Sequence, residues 1–165
     1  MVDEIRVYIE GGGDEKETKT ALMTHPDAFN ALLVDSEGLV DADPRQYLQR
    51  RDGWDLQCNN DHCHLMVQTM EAWLIADLDA LSKFYGQGFI ANALPRNPNV
   101  EQIDKEQLAP ALKAATEQTS KGKYHKTRHA PKILEQLDSA KVRRAARHCE
   151  RLFQTLSMKM GDRQL

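Results

Sequence analysis

The stretch Val7-Tyr8-Ile9-Glu10-Gly11-Gly12-Gly13-Asp14 decides how the chain reads as a fold. Ile5, Val7 and Ile9 alternate with Arg6 and Tyr8, the period of a strand with one face more buried than the other. Glu10 is its last residue, and the three glycines let the backbone turn sharply. Asp14 is placed to cap a helix over 14–23, which stops near His25-Pro26 because the residue before a proline disfavours helix. A strand, glycine loop and helix in this order can present several N–H groups to an anion. The bland alternative is that Gly11, Gly12 and Gly13 form only a flexible turn. Gly-Gly-Gly-Asp fits neither the P-loop nor the dinucleotide fingerprint, so no nucleotide cofactor is expected.

A second apolar run, Ala31-Leu32-Leu33-Val34, ends on Asp35-Ser36-Glu37. Four continuous apolar residues predict a strand covered on both faces, parallel to the first and joined to it by a right-handed crossover through the 14–23 helix. Open α/β sheets bind ligands at the carboxyl edge of their strands. Glu10, Asp35 and Glu37 are therefore candidate ligands for Mg²⁺ or Mn²⁺, against the alternative of a solvated turn after a strand.

Residues 38–62 read as loop, with a short helix from Pro44 to Arg50 or Arg51. A third strand is expected over 64–68, then a helix capped by Thr69 and running to about Tyr85, with a break at Asp77. A single helix from Asp61 is the competing reading. Glu71 lies beside a strongly apolar stripe, where a carboxylate needs a partner such as an arginine. Asp104 to Thr116 reads as helix. Lys121 to His129 reads as a basic loop whose Lys121, Lys123, Lys126 and Arg128 can grip a phosphate backbone while Tyr124 or His125 stacks on a base. A solvated charged loop is the alternative. Helices over about Ala130–Leu137 and Ser139–Leu156 close the chain, with fraying from Ser157.

The chain has 41% hydrophobic and 28% charged residues, ordinary globular usage. Its length suits a single domain, 1–165, with an α/β core over 1–85 and a mainly helical extension over 86–165. A net charge of −3 implies no general affinity for nucleic acid, but Lys and Arg gather after residue 120. Cys58, Cys63 and Cys149 make no even-numbered framework and the start carries no basic-then-apolar segment, which together predict a cytoplasmic location. No apolar stretch approaches the roughly 18 residues that span a bilayer, so no membrane partner is expected. Cys58, His62, Cys63 and His64 match no strong zinc spacing, and no zinc is expected.

Ile9 to Asp14, Leu32 to Glu37, Cys63 to Asp77, Phe84-Tyr85-Gly86-Gln87-Gly88-Phe89 and Lys121 to Lys126 together resemble the bacterial family named domain of unknown function 4276. That family is related to the TOPRIM domains of topoisomerases, primases and overcoming-lysogenization-defect nucleases. The resemblance covers nearly the whole chain. It implies a small, mostly parallel, TOPRIM-like (Rossmann-like) sheet flanked by helices, with a helical C-terminal part. It also implies Mg²⁺ or Mn²⁺-dependent phosphodiester chemistry on nucleic acid, as in a nuclease acting as a defence effector with an ATPase partner. By this resemblance Glu10 is the glutamate after the first strand, acting as ligand or general acid/base, and Asp35 and Glu37 are the paired metal ligands. Asp14 is a further candidate ligand, with helix capping as an equal explanation, while Gly11, Gly12, Gly13 and Glu71 would line the site. Two features depart from the TOPRIM pattern. Glu37 stands where an aspartate is usual, and 24 residues lie between Glu10 and Asp35, as though one β-α unit had been lost. These departures support a second reading, a non-catalytic binding subunit of an ATPase-containing complex.

Overall fold

Residues 2, 4–9, 20 and 24–161 are described by a computed structural model. Their sheet has three parallel strands, β1 (Ile5–Ile9), β2 (Phe29–Asp35) and β3 (Cys63–Met66), in the spatial order β1-β2-β3. Seven α-helices accompany them among the described residues: α1 (Pro44–Asp52), α2 (Met70–Ile75), α3 (Leu78–Tyr85), α4 (Lys105–Thr116), α5 (Lys126–Leu134), α6 (Ser139–Ala145) and α7 (Arg147–Met160). This is the expected α/β class with a helical C-terminal part. The chain divides into two compact units, one of Met1–Ser36, Val40–Met66 and His148–Leu165, the other of Glu37–Leu39 and Val67–Arg147.

The first unit holds the sheet. β2 lies between its two neighbours and every one of its residues is buried, which is why its sequence is apolar without alternation. Its burial contributes on the order of 1.5–3 kcal/mol for each of Leu32, Leu33 and Val34. Polar Asn30 is accommodated because its amide donates to the carbonyls of His25 and Ala28, at 2.9 and 3.2 Å. β1 is half exposed, with Val7 and Ile9 among the most exposed large apolar side chains. In α7, His148, Cys149, Leu152 and Thr155 are buried at the spacing of one helical face.

The second unit is helical. Residues 71–75 of α2 are all buried, so this short helix is central to its unit and carries Glu71 inward with it. Asp77 caps α3 by accepting from the Ala80 N–H, which explains the expected break between two helices. The same carboxylate accepts from the N–H of Asp138 and from Lys141 Nζ, both at 2.9 Å. α4 buries Leu108, Leu112, Ala115 and Thr116 on one face.

Several boundaries differ from the sequence reading. β2 begins at Phe29, and β3 ends at Met66 where 64–68 was expected. The alternative helix from Asp61 is not formed, because 60–62 is a 3₁₀ turn leading into β3. Thr69 sits at the N-cap of α2 without a side-chain capping bond. The basic loop is shorter than 121–129, since α5 already begins at Lys126. The last expected helix is two: Ala146 is extended, with φ −135° and ψ 104°, and α7 then continues to Met160 instead of fraying from Ser157. The expected 14–23 helix falls largely outside the described residues. No helix among the described residues is long and apolar enough to cross a membrane.

Candidate functional site

The parallel register fixes which acids share an edge of the sheet. Ile9 pairs with Leu33, and β2 runs two residues further to Asp35, which pairs with Met66 of β3. Glu10 follows Ile9 in sequence but lies, with Gly11, Gly12, Gly13 and Asp14, outside the described residues. Asp35 is 8% exposed, so the carboxyl end of β2 holds a carboxylate largely withdrawn from water. Three bonds to the backbone secure this end. Ser36 N–H donates to the Met66 carbonyl at 3.0 Å, Arg51 Nη1 to the Asp35 carbonyl at 2.8 Å, and the Tyr47 hydroxyl to the Ser36 carbonyl at 2.7 Å. Arg51 and Tyr47 both come from α1, so the short helix read inside 38–62 buttresses the candidate ligand.

Glu37 belongs to the second unit and has a left-handed backbone, φ 57°. Such a conformation costs a non-glycine residue about 1 kcal/mol. Its N–H donates to the Gln68 carbonyl at 2.8 Å, and its Oε2 lies 2.7 Å from Lys105 Nζ. Lys105 also donates its backbone N–H to Gln68 Oε1 at 3.1 Å. Glu37, Gln68 and Lys105 thus form a clasp that holds the Glu37 backbone in place. Lys105 escaped the sequence reading because no local pattern joins it to Glu37, 68 positions away.

Glu71 is buried, and its partners are not the arginine expected. Tyr124 donates its hydroxyl to Glu71 Oε1 at 3.0 Å, and Lys126 Nζ lies 3.9 Å from Oε2. Tyr124 is only 3% exposed, so its ring is part of the core of this unit and does not offer a stacking platform to a base. Its N–H donates to Thr116 Oγ1 at 2.7 Å, which anchors the basic segment to the end of α4. The other basic residues remain at the surface. Lys121 lies over the Phe84 ring at 5.1 Å, Lys123 pairs with Glu117 at 2.7 Å, and His125 and Arg128 are exposed. Next to them His129 is buried, and its Nδ1 accepts from the His125 N–H at 3.3 Å and contacts the Tyr85 hydroxyl at 3.0 Å. Burial, then the nearby Arg128 and His125, lowers its pKa below the usual imidazole range.

The zinc-like residues are engaged otherwise. His62 Nδ1 meets the Asn30 carbonyl at 2.5 Å, and His64 Nε2 meets the Asp61 carbonyl at 2.8 Å. Among the described residues no group of three or more His, Cys, Asp or Glu side chains is arranged to hold a metal ion; Glu10 and Asp14 lie outside them.

The model of the family described as Domain of unknown function (DUF4276) matches residues 9–157. The chain belongs to this family. No curated protein and no solved structure matches it. The DUF4276 match spans both acidic strand ends, the α2 segment with Glu71 and the basic segment.

Proposed function

We propose that this DUF4276 chain carries out Mg²⁺ or Mn²⁺-dependent phosphodiester chemistry on nucleic acid, on a shortened TOPRIM-like plan. The observation that carries the reading is the parallel β1–β2 register, in which Ile9 pairs with Leu33 and both strands run towards one carboxyl edge. Asp35 lies at that edge, and Glu10 is the next residue after β1 in sequence. Carboxylate oxygens suit hard divalent cations, which polarise phosphate oxygens and stabilise the charge that develops during displacement. In this reading Asp35 and Glu37 are the principal ligands, Glu10 is a ligand or the general acid/base, and Asp14 is a further ligand.

The basic segment supplies the affinity for the polyanion. Lys121, Lys123, His125, Lys126 and Arg128 attract phosphates, a salt-sensitive contribution that carries no sequence preference. Tyr124 serves as the internal strut of that segment. An ATPase partner in a phage-defence complex is part of the same proposal and rests on the TOPRIM resemblance.

The test is incubation of the purified chain with DNA and RNA in Mg²⁺ or Mn²⁺. Cleavage by the wild type that is lost in Glu10→Gln and Asp35→Asn is the expected result. Equal cleavage by all three proteins would remove the assigned site.

One observation favours a second reading, a binding subunit without catalysis. The Glu37 carboxylate is already neutralised by Lys105 at 2.7 Å. Under that reading no polymer is cut with either metal, while salt-sensitive binding persists and falls in Lys123→Ala and Arg128→Ala.

A further inference from the structure

Cys58 and Cys63 both belong to the unit that holds the sheet. Cys63 opens β3 and has no exposed surface. Its carbonyl accepts from Arg151 Nη1 at 2.8 Å, so its backbone is held firmly. Cys58 is half-buried in the loop before the 60–62 turn, and its carbonyl accepts from Arg45 Nη1 at 3.2 Å. The two sulfurs are 3.9 Å apart. The pair therefore consists of a thiol on a partly exposed residue beside a thiol on a fully buried one.

We propose that Cys58 and Cys63 form a peroxide-reactive dithiol, in which Cys58 attacks a hydroperoxide and Cys63 resolves the product into an intramolecular disulfide. The electrostatics agree with this division of labour. The contact with the Cys63 sulfur lowers the Cys58 pKa against the opposing effect of burial, and the Arg45 charge adds to the lowering. The same contact, with burial, pushes the Cys63 thiol up, so it keeps its proton until it is called on.

The chemistry balances in two steps. The Cys58 thiolate attacks one oxygen of hydrogen peroxide, the O–O bond breaks, and hydroxide leaves to give the Cys58 sulfenic acid. Cys63 sulfur then attacks the Cys58 sulfur, the S–O bond breaks, and water leaves with the Cys63 proton. The two thiols together lose two electrons to the peroxide. Closing the pair from 3.9 Å to the roughly 2 Å of an S–S bond moves the Cys58 loop towards the fixed start of β3. The Asn59–His62 segment is then enclosed in a small covalent ring.

The sequence allows a direct readout. Cleavage before Asp55, Asp61 and Asp77 separates Cys58 on peptide 55–60 from Cys63 on peptide 61–76. After treatment of the full chain with hydrogen peroxide and alkylation of remaining thiols, these peptides stay joined without reductant and separate with it. Cys149, buried in α7, is alkylated at least about tenfold more slowly than Cys58 in the native reduced protein. In Cys63→Ala the reaction stops at the Cys58 sulfenic acid, which a dimedone adduct reports; in Cys58→Ser no disulfide forms. Wild-type protein that accumulates Cys58 sulfenic acid without joining the peptides overturns the proposal. So does a Cys58 that reacts no faster than Cys149. The wild-type peptide map decides the matter even where a variant fails to fold.

Discussion

Lowering the pH from 7 to 5 acts on His64, the imidazole at the centre of the sheet-bearing unit. His64 has no exposed surface and pairs through its Cα with Leu33 of β2. The Asp61 carbonyl accepts at Nε2, 2.8 Å away, and an arginine can only donate, so Nδ1 must accept from Arg151 Nη1 at 3.0 Å. The ring is therefore held neutral with its proton on Nε2. A second proton on Nδ1 would destroy the Arg151 bond and set two positive charges against each other. Burial first, and Arg151 second, hold the His64 pKa down to about 4 from 6.5, with His62 adding to the lowering.

The sign follows from linkage. The unfolded chain takes up a proton below pH 6.5 and the folded chain does not until about pH 4, so His64 costs no stability above 6.5 and progressively more between 6.5 and 4. At pH 5 the loss is about 2 kcal/mol relative to pH 7, by the binding polynomial with these two values. Asp77, held low by its N–H and lysine donors against the effect of burial, gives stability that is lost only as the pH falls below its ordinary 3.8. It does not confuse this window. The assay is hydrogen exchange of the β2 and β3 amides, corrected for intrinsic rates, in wild type and His64→Gln. Glutamine retains a donor and an acceptor but does not titrate. Between pH 7 and 5 the wild type should lose about 2 kcal/mol more protection than the variant, since other histidines such as His129 act equally in both. A His64 resonance that titrates near 6.5 in the folded protein, or equal pH slopes in the two proteins, would refute the reasoning.

Two further outcomes test the interior of each unit. Arg151 spans the carbonyls of Asn60 and Cys63 and the His64 ring with one guanidinium, so Arg151→Lys should cost about 2–4 kcal/mol in urea unfolding, because an ammonium cannot reproduce the fork. Tyr124→Phe strips Glu71 Oε1 of its hydroxyl donor within the other unit and should cost about 1–3 kcal/mol, read as loss of α4 and α5 amide protection.

The strands were legible because their patterns are local. Alternation at Ile5, Val7 and Ile9 marks a strand but not its buried face, since Val7 and Ile9 are its exposed residues and Arg6 and Tyr8 are less so, while the unbroken Ala31 to Val34 run marks the strand enclosed between two others. Helix ends were harder, since Lys126 to His129 are polar and basic like a loop although His129 joins Ala130 and Ile133 on the buried helical face. Tyr124 shows why composition misled. An aromatic among lysines fits a base-stacking platform, yet a buried Glu71 drawn from 53 residues away in sequence claims its hydroxyl. The Glu37–Lys105 clasp and the Arg151 fork join residues distant in sequence, and no spacing rule reaches them. Asp35 was legible from both directions, as the residue where an apolar run stops and as the last residue of the central strand.

The central claim is that the acidic strand ends hold a divalent cation, and Mn²⁺ titration followed by electron paramagnetic resonance tests it without assuming a substrate. Wild-type protein is expected to bind Mn²⁺ in competition with Mg²⁺, and Asp35→Asn to lose at least about tenfold in affinity while keeping its fold. Lys105→Met, which releases the Glu37 carboxylate from its lysine, should bind more tightly than the wild type. Mn²⁺ affinity that is the same in wild type and Asp35→Asn would contradict the account.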